Sequence, residues 1–463
     1  MGNVGYASSK SGRGFTLRHF AIALSAALLA LEGVSSFGLA APITGFGAVR
    51  MTLDVALALV LATLAAATFH TPAIITRLYA RLRPLALVGS LLLLVITGLS
   101  ALNTSQLILF TQPARYYVTD VVAFTDECAR LTLAGKNPYT TPAGFAEALR
   151  RYPNVTPSPL RGETFGVGYD LPARPVVAEV ERRYLAQPMS APGAFDPQTL
   201  TSYPALSFLL YLPLVWMGAP DVLLLNLLVF LALTAWLLIA APRHERLWTA
   251  VALSAALPLL LFSLIADTEV VALAFLLIAW RGRGNRWVSA IALGLGCAFR
   301  QYCWFFAPFF LLDTLLGDGG RPTRERWREV GARALIALCA FLLPNLPYLI
   351  ASPAAWWRSL WLPVSEPLFP LGVGLVALAR GHLAPFAPPL VYTVLEVGAL
   401  VACLWAMWRW RPQLREAVPV LALLPLFFAW RSLPNYFVLA PLFALFAVVA
   451  LTRVQSPSLD AAS

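Results

Sequence analysis

The chain has 463 residues, 59% of them hydrophobic and 12% charged, with a formal net charge of +11. Ordinary soluble domains carry about 25% charged residues, so this composition excludes a soluble enzyme on a simple anchor and predicts an all-α, polytopic membrane helix bundle. Lys10 and Lys136 are the two lysines, so arginine carries nearly all the positive charge. It falls in short segments between apolar runs, a pattern that sets membrane topology and argues against a nucleic-acid partner.

Residues 1–19 are polar, with Lys10, Arg13 and Arg18. Apolar runs follow at about 20–40, 52–70 and 84–104. The first lacks a small-residue cleavage site and leads into further runs, so it reads as a retained helix and not a signal peptide. Arg77, Arg81 and Arg83 place the N-terminus and the 71–83 segment in the cytoplasm. The third helix then exits, leaving residues 105–202 outside. Within that loop, apolar residues recur at helical spacing over 121–134, 143–152 and 175–186, between proline and glycine turns. This predicts short helices lying on the membrane surface. A loop this long between helices is usually functional.

Beyond Tyr203-Pro204, apolar runs fall at about 204–218, 221–241, 247–264, 268–280, 287–299, 302–316, 334–351, 388–408, 417–430 and 436–452. Several are shorter than the ~20 residues of a full helical span, so the expected total is about eleven to thirteen membrane segments, some short or re-entrant. Basic segments at Arg243–Arg246, Arg281–Arg286, Arg321–Arg333 and Arg409–Arg415 are assigned to the cytoplasm. Runs 204–218 and 221–241 then make an even count between an outer loop and an inner one. Either one of them is re-entrant or the Arg243–Arg246 segment is outside. The expected organisation is a tail and two extra helices over 1–83, a helix and catalytic loop over 84–202, a helix bundle over 203–453 and a disordered tail over 454–463.

Ionisable residues in or beside apolar runs are costly unless they face a cavity or a partner. Glu32, Asp54, Asp267, Glu269, Arg300, Asp313, Glu396 and Arg431 are the candidates. Asp54 and Asp313, near run ends, are expected to snorkel to the interface. Glu32 and Glu396, nearer run centres, either pair with arginines or serve function. Arg300 and Arg431 map to the outer face among aromatic residues, where a planar guanidinium suits a lipid phosphate. Asp120 opens the first strongly polar stretch. It either caps the helix that follows or takes a proton from an acceptor hydroxyl. Asp126 and Glu127 are adjacent and do not face each other on a helix. A divalent cation held jointly with a substrate phosphate is the one cofactor they leave open. Five cysteines and four scattered histidines form no disulfide framework and no zinc spacing, so no resident metal is expected.

Asp120, then an amphipathic helix, then Leu133-Ala-Gly-Lys-Asn-Pro-Tyr139 resembles the first outer loop of the GT-C glycosyltransferases, in particular the bacterial polyprenyl-phosphate-mannose-dependent transferases. Tyr203-Pro204 resembles their second landmark. The basic turn from Arg281, a small-residue helix and Arg300 resemble a third, although lysine is frequent in the family at that last position. Ala266-Asp267 stands where the family often has Gly-Gln. Arg431-Ser-Leu-Pro-Asn-Tyr436 is similar, more loosely, to the C-terminal outer loop. The likeness covers roughly residues 85–450.

The resemblance implies a bacterial inner-membrane enzyme that takes a mannose- or arabinose-class sugar from a polyprenyl-phosphate donor. The acceptor would be a lipid, a glycan or a protein, reached at the extracytoplasmic face, with membrane lipids as the other partner. Asp120 would be the general base, and Arg300, then Arg431, would bind the donor phosphate. Asp126, Glu127, Asn137, Tyr139, Tyr203, Gln301, Tyr302, Asn435 and Tyr436 are the further substrate-binding candidates. The residues fit this chemistry. A polyprenyl phosphate is already a good leaving group, so one carboxylate suffices, and an arginine stabilises the charge that develops as the C1–O bond breaks. A single displacement inverts the anomeric centre. Two other readings use the same residues. A transporter or flippase of lipid-linked sugars would need the arginines and no base, though the chain has no visible repeat symmetry. An O-antigen ligase or polymerase would place its large outer loop late in the chain, whereas this one comes early.

Overall fold

The computed structural model describes residues 16–36, 45–69, 73–111, 117, 119–141, 143–155, 157–162, 165–166, 168–186, 201–218, 221–253, 268–317, 323–365 and 368–455. The N-terminal tail, Asp267, the 254–264 part of one apolar run and the tail beyond 455 lie outside the described residues. Among the described residues the fold is all-α, 77% helical. Among the described residues, five helices are long and apolar enough to cross a membrane: Gly45–Ala66, Leu223–Ala240, Thr323–Ala351, Pro389–Arg409 and Pro434–Thr452.

Helices α1 (Leu17–Ser36) and α2 (Gly45–Ala66) form an antiparallel hairpin. Alanines 21, 26, 58 and 62 are buried between them and their neighbours, and small side chains of this kind let helix backbones approach closely. The Ser25 hydroxyl donates to the Ala58 carbonyl at 2.8 Å. Glu32 is buried and pairs with Arg50 at 3.3 Å, which also reaches Asp54 at 3.9 Å. Helix α3 (Ala73–Phe110) is continuous, so the 71–83 segment expected as a basic loop is helical from residue 73. Its alanines, leucines and arginines are good helix formers, and Pro84 lies within the helix without ending it. The outer-loop helices lie where the spacing predicts: α4 (Asp120–Leu133), α5 (Ala143–Arg151) and α6 (Arg174–Ala186).

The 204–218 run is not a span. It folds as two short helices, Leu206–Leu209 and Leu212–Trp216. Helix α7 (Leu223–Ala240) follows, then α8 (Glu269–Arg281), α9 (Arg286–Phe299), a 3-10 turn (Gln301–Phe305) and α10 (Phe306–Leu316). Gly294 lets α9 lie against α11 (Thr323–Ala351), since a Cβ there would run into the Ala337 carbonyl. Helix α12 (Pro353–Ser365) and α13 (Pro389–Arg409) come next. The 417–430 run, expected to exit the membrane as a helix, is broken into the short turns Val418–Leu421 and Leu424–Phe428. Each carries a proline in its first two positions, where the missing N–H is tolerated, so each marks a new helical start. The apolar segment Pro434–Thr452 closes the bundle and is 83% buried.

Contacts sort the chain into two ends. At one, Arg283 and Arg281 bridge to Glu416, Arg286 to Glu329 at 2.6 Å, and Arg411 and Arg415 to Asp313 at 3.0 and 3.1 Å. The Thr68 N–H donates to the Gln413 carbonyl at 2.8 Å, and Glu245 lies beside Thr452 and Arg18. All four basic segments therefore share this end with the start of α1. Helix α7 runs to it from Asp221, which accepts a hydrogen bond from Tyr117 near α4. The even count of runs between 204 and 246 fits this arrangement, with 204–218 as the segment that does not run from end to end. Asp313, expected to snorkel, is instead buried between two arginines.

Candidate functional site

The opposite end collects the outer-loop helices and the far ends of α8, α9 and α11. Thr119, in an extended conformation, is the N-cap of α4, so Asp120 is its first helical residue. A carboxylate there is favoured by the helix dipole, and the Val121 N–H is one of its donors. Its Oδ2 also accepts the Ser158 N–H at 2.9 Å, from a turn 38 residues away. Asp120 thus joins α4 to the 157–162 segment as well as capping in part. Burial pushes its pKa above the usual carboxylate value. The Ser158 hydrogen bonds and the nearby Arg431 charge pull it down without cancelling that rise.

Arg431 is held by a two-residue parallel pairing of β1 (Leu371–Gly372) with β2 (Arg431–Ser432). Gly372 has φ 136°, and a Cβ on it would collide with the Ser432 backbone. Gly372→Ala is expected to cost more than about 1 kcal/mol and to move Arg431, so transfer activity should fall further than thermal stability. Comparison of melting temperature with specific activity in detergent checks this, and a proportionate loss of both would contradict it. The 157–162 segment meets the same region, since Leu160 bridges to Leu368, and the Trp430 indole donates to the Leu368 carbonyl at 3.0 Å.

The Gly-Lys-Asn-Pro-Tyr element makes a compact turn. Gly135 has φ 71°, and the Asn137 Oδ1 accepts the Tyr139 N–H at 3.0 Å, an Asx turn. Tyr139 is buried against Phe208 and Tyr348, and its hydroxyl donates to the Tyr203 carbonyl at 2.9 Å. The Tyr203 ring in turn lies 4.0 Å from the Arg300 guanidinium carbon, a cation–π contact. Arg300 ends α9 in an extended conformation, donates to the Thr268 hydroxyl and pairs with Glu269 at 3.8 Å. Both charged side chains are 2% exposed. Asn435 donates to Glu269 at 3.3 Å, Tyr302 sits beside Glu269, and the Tyr302 and Tyr436 rings are 5.8 Å apart. Gln301 donates to the carbonyls of Ser202 and, at 3.5 Å, Leu360.

Tyr139, Tyr203, Arg300, Gln301, Tyr302, Asn435 and Tyr436 therefore belong to one contact network, with Asn137 shaping its edge. Glu269, its central carboxylate, stood out in the sequence only as an ionisable residue at a run end. Arg300 is sealed with its counter-charge, whereas Arg431 is half-buried beside Asp120, which makes Arg431 the more accessible cation. The two groups are joined by the chain from Arg431 to Asn435, a reach of at most about 14 Å.

Asp126 and Glu127 lie outside this network. Asp126 accepts from Arg130 at 2.8 Å, Tyr152 at 2.5 Å and Arg151 at 3.4 Å, and Glu127 from Arg151 at 2.5 Å. Burial pushes the Glu127 pKa up and Arg151 opposes it. These oxygens bind α4 to α5, and among the described residues no group of three or more His, Cys, Asp or Glu side chains could hold a metal ion. Both carboxylates are engaged by arginines, and Asp126 by the Tyr152 hydroxyl as well. Arg151→Gln takes the nearest cation from Glu127. Arg151 is 38% exposed and Arg130 stays nearby, so solvent screening holds the expected loss near the ~1 kcal/mol of an exposed pair, read as a small fall in melting temperature. Unchanged melting with lost donor binding would instead make the pair a substrate site.

Comparisons with protein-family models, with curated proteins and with solved structures find no match to this chain.

Proposed function

We propose that this chain is an integral membrane glycosyltransferase of the bacterial inner membrane that moves a mannose- or arabinose-class sugar from a polyprenyl-phosphate donor to an acceptor hydroxyl. One observation carries the reading: a carboxyl held above its usual pKa by burial, beside an arginine, at the end opposite the basic segments. With the basic end cytoplasmic, that site faces outward. Asp120 takes the acceptor O–H proton as the acceptor oxygen bonds to C1 of the sugar. The C1–O bond to phosphate breaks, its electron pair stays on the phosphate, and the anomeric centre inverts. Arg431 stabilises that phosphate charge. Arg300, braced on Tyr203 and paired with Glu269, is the second cation of this end, in the adjoining network.

The test is transfer by purified protein in lipid, with a panel of radiolabelled polyprenyl-phosphate sugars and crude membrane acceptors. Consumption of one donor by wild type and not by Asp120→Asn supports the proposal and names the sugar. Translocation of a donor without consumption supports the flippase reading instead. The pH profile offers a second check. Turnover needs Asp120 ionised, so the rate rises with pH through its pKa. Arg431→Gln removes a charge that pulls this pKa down, so the acid limb should move to higher pH, in addition to any loss of rate. An acid limb that stays fixed or moves down would separate Arg431 from Asp120.

A further inference from the structure

Beside Asp120 stands a group of side chains that neither the base nor the phosphate contact uses. The Arg161 guanidinium lies 4.6 Å from the centre of the Tyr169 ring and 5.9 Å from that of Trp430. Tyr169 meets Phe386 at 5.0 Å and Trp430 at 5.5 Å, and Trp430 meets Tyr392 at 5.2 Å. Tyr392 is buried behind the others, while Arg161, Tyr169, Phe386 and Trp430 each keep part of their surface exposed. The wall lies a short length of chain from the site. Arg161 follows Ser158, the donor to Asp120, by three residues, a reach of at most about 11 Å. Trp430 precedes Arg431 directly. Residues from three regions far apart in the chain build it: Arg161 and Tyr169, Phe386 and Tyr392, and Trp430.

We infer that this wall is the platform for a sugar ring of the acceptor, so the substrate that Asp120 deprotonates is a glycan or glycolipid. The inference rests on the reading of Asp120 as base. A pyranose presents a flat C–H face and a rim of hydroxyls. Aromatic surfaces receive the first, as apolar pocket walls with a few placed polar groups do in general, and the fork of a guanidinium donates to the second. A glycerol headgroup or a serine side chain has no flat face to match the three partly exposed rings of Tyr169, Phe386 and Trp430. The donor also carries a sugar. The acceptor is assigned here because the wall starts three residues from Ser158, whose N–H binds the carboxylate that must touch the acceptor hydroxyl.

The experiment uses the full chain in nanodiscs. Saturation-transfer NMR with methyl α-mannoside reports sugar binding without turnover. Transfer kinetics use octyl mannoside, diacylglycerol and a serine-containing peptide as alternative acceptors. Wild type should show saturation at the ring C–H protons. Tyr169→Leu should lose most of it, and the ring-preserving Tyr169→Phe should recover it. Tyr169→Leu should also raise KM for octyl mannoside about tenfold while KM for the donor stays put, and Arg161→Gln, on the same wall, should move acceptor KM in the same sense. Equal saturation in wild type and Tyr169→Leu overturns the inference. So does a rise in donor KM alone, which would give the wall to the donor sugar, or transfer confined to diacylglycerol or peptide. Ring-dependent sugar binding with no transfer by wild type supports the platform and removes the glycosyltransferase reading instead.

Discussion

Asp120→Asn is expected to lower transfer by about 10²–10⁴-fold, the usual contribution of a positioned general base, without lowering stability. The amide oxygen can still accept the Ser158 N–H that Asp120 accepts at 2.9 Å, so the joint between α4 and the 157–162 segment survives. The stability side has a definite sign. Burial raises the folded-state pKa of Asp120 above its unfolded value. Its contribution to stability is therefore fully present below the ordinary aspartate pKa of about 4 and is lost as pH rises through the folded value. Above the folded value wild type keeps a partly desolvated charge that the asparagine variant lacks. The variant should melt at the same temperature or higher near pH 7, and the gap should close as pH falls toward 4. A purely structural aspartate behaves otherwise, with activity and melting temperature falling together. That pattern, seen in the same preparation, would falsify the assignment of Asp120 as base.

The second large effect concerns Glu269 and Arg300. Both are 2% exposed and 3.8 Å apart. Removing one partner leaves a buried charge without its counter-charge, which typically costs 3–5 kcal/mol. Glu269→Gln and Arg300→Met are each expected to unfold much of the protein at 37 °C or cut its yield sharply. The double variant should regain much of that stability, because replacing both charges of a buried pair is often neutral. It should nevertheless transfer poorly if Arg300 supplies charge to the donor phosphate. Stability and catalysis are thus read separately in one set of four proteins. Recovery of both in the double variant would leave the pair a structural joint, and Arg431 would be the cation that acts on the donor.

Local features of this fold are visible in the sequence, and long-range ones are not. The apolar spacing over 121–134, 143–152 and 175–186 matches helices within a residue or two at each end, because a 3.6-residue period is a local property. The Asn-Pro-Tyr turn is equally local. The breaks in the 204–218 and 417–430 runs carried a signal in Pro213, Pro419 and Pro425, which hydropathy alone overrides. The helical 73–83 stretch was misread for the opposite reason, since its arginines mark topology while their helix propensity is high. Nothing local links Ser158 to Asp120, Glu269 to Asn435 or Tyr169 to Trp430. These pairs are separated by 38, 166 and 261 residues, and their meeting is decided by how the bundle packs. That is why Ser158 and Tyr169 carry no local signal, and why Glu269 stands out in the sequence only as an ionisable residue at a run end and not as the partner of Asn435.

Helices α8 and α9 have 13 and 14 residues, about 20 Å each at 1.5 Å per residue. In the membrane placement proposed above, a hydrocarbon core of ~30 Å exceeds their length by about 10 Å, and lipids beside them would thin or tilt at a fraction of a kcal/mol for each ångström. The adjacent α11, with 29 residues, imposes no such strain. In that placement the bilayer would be thinnest beside α8 and α9, the two helices whose far ends carry Glu269 and Arg300.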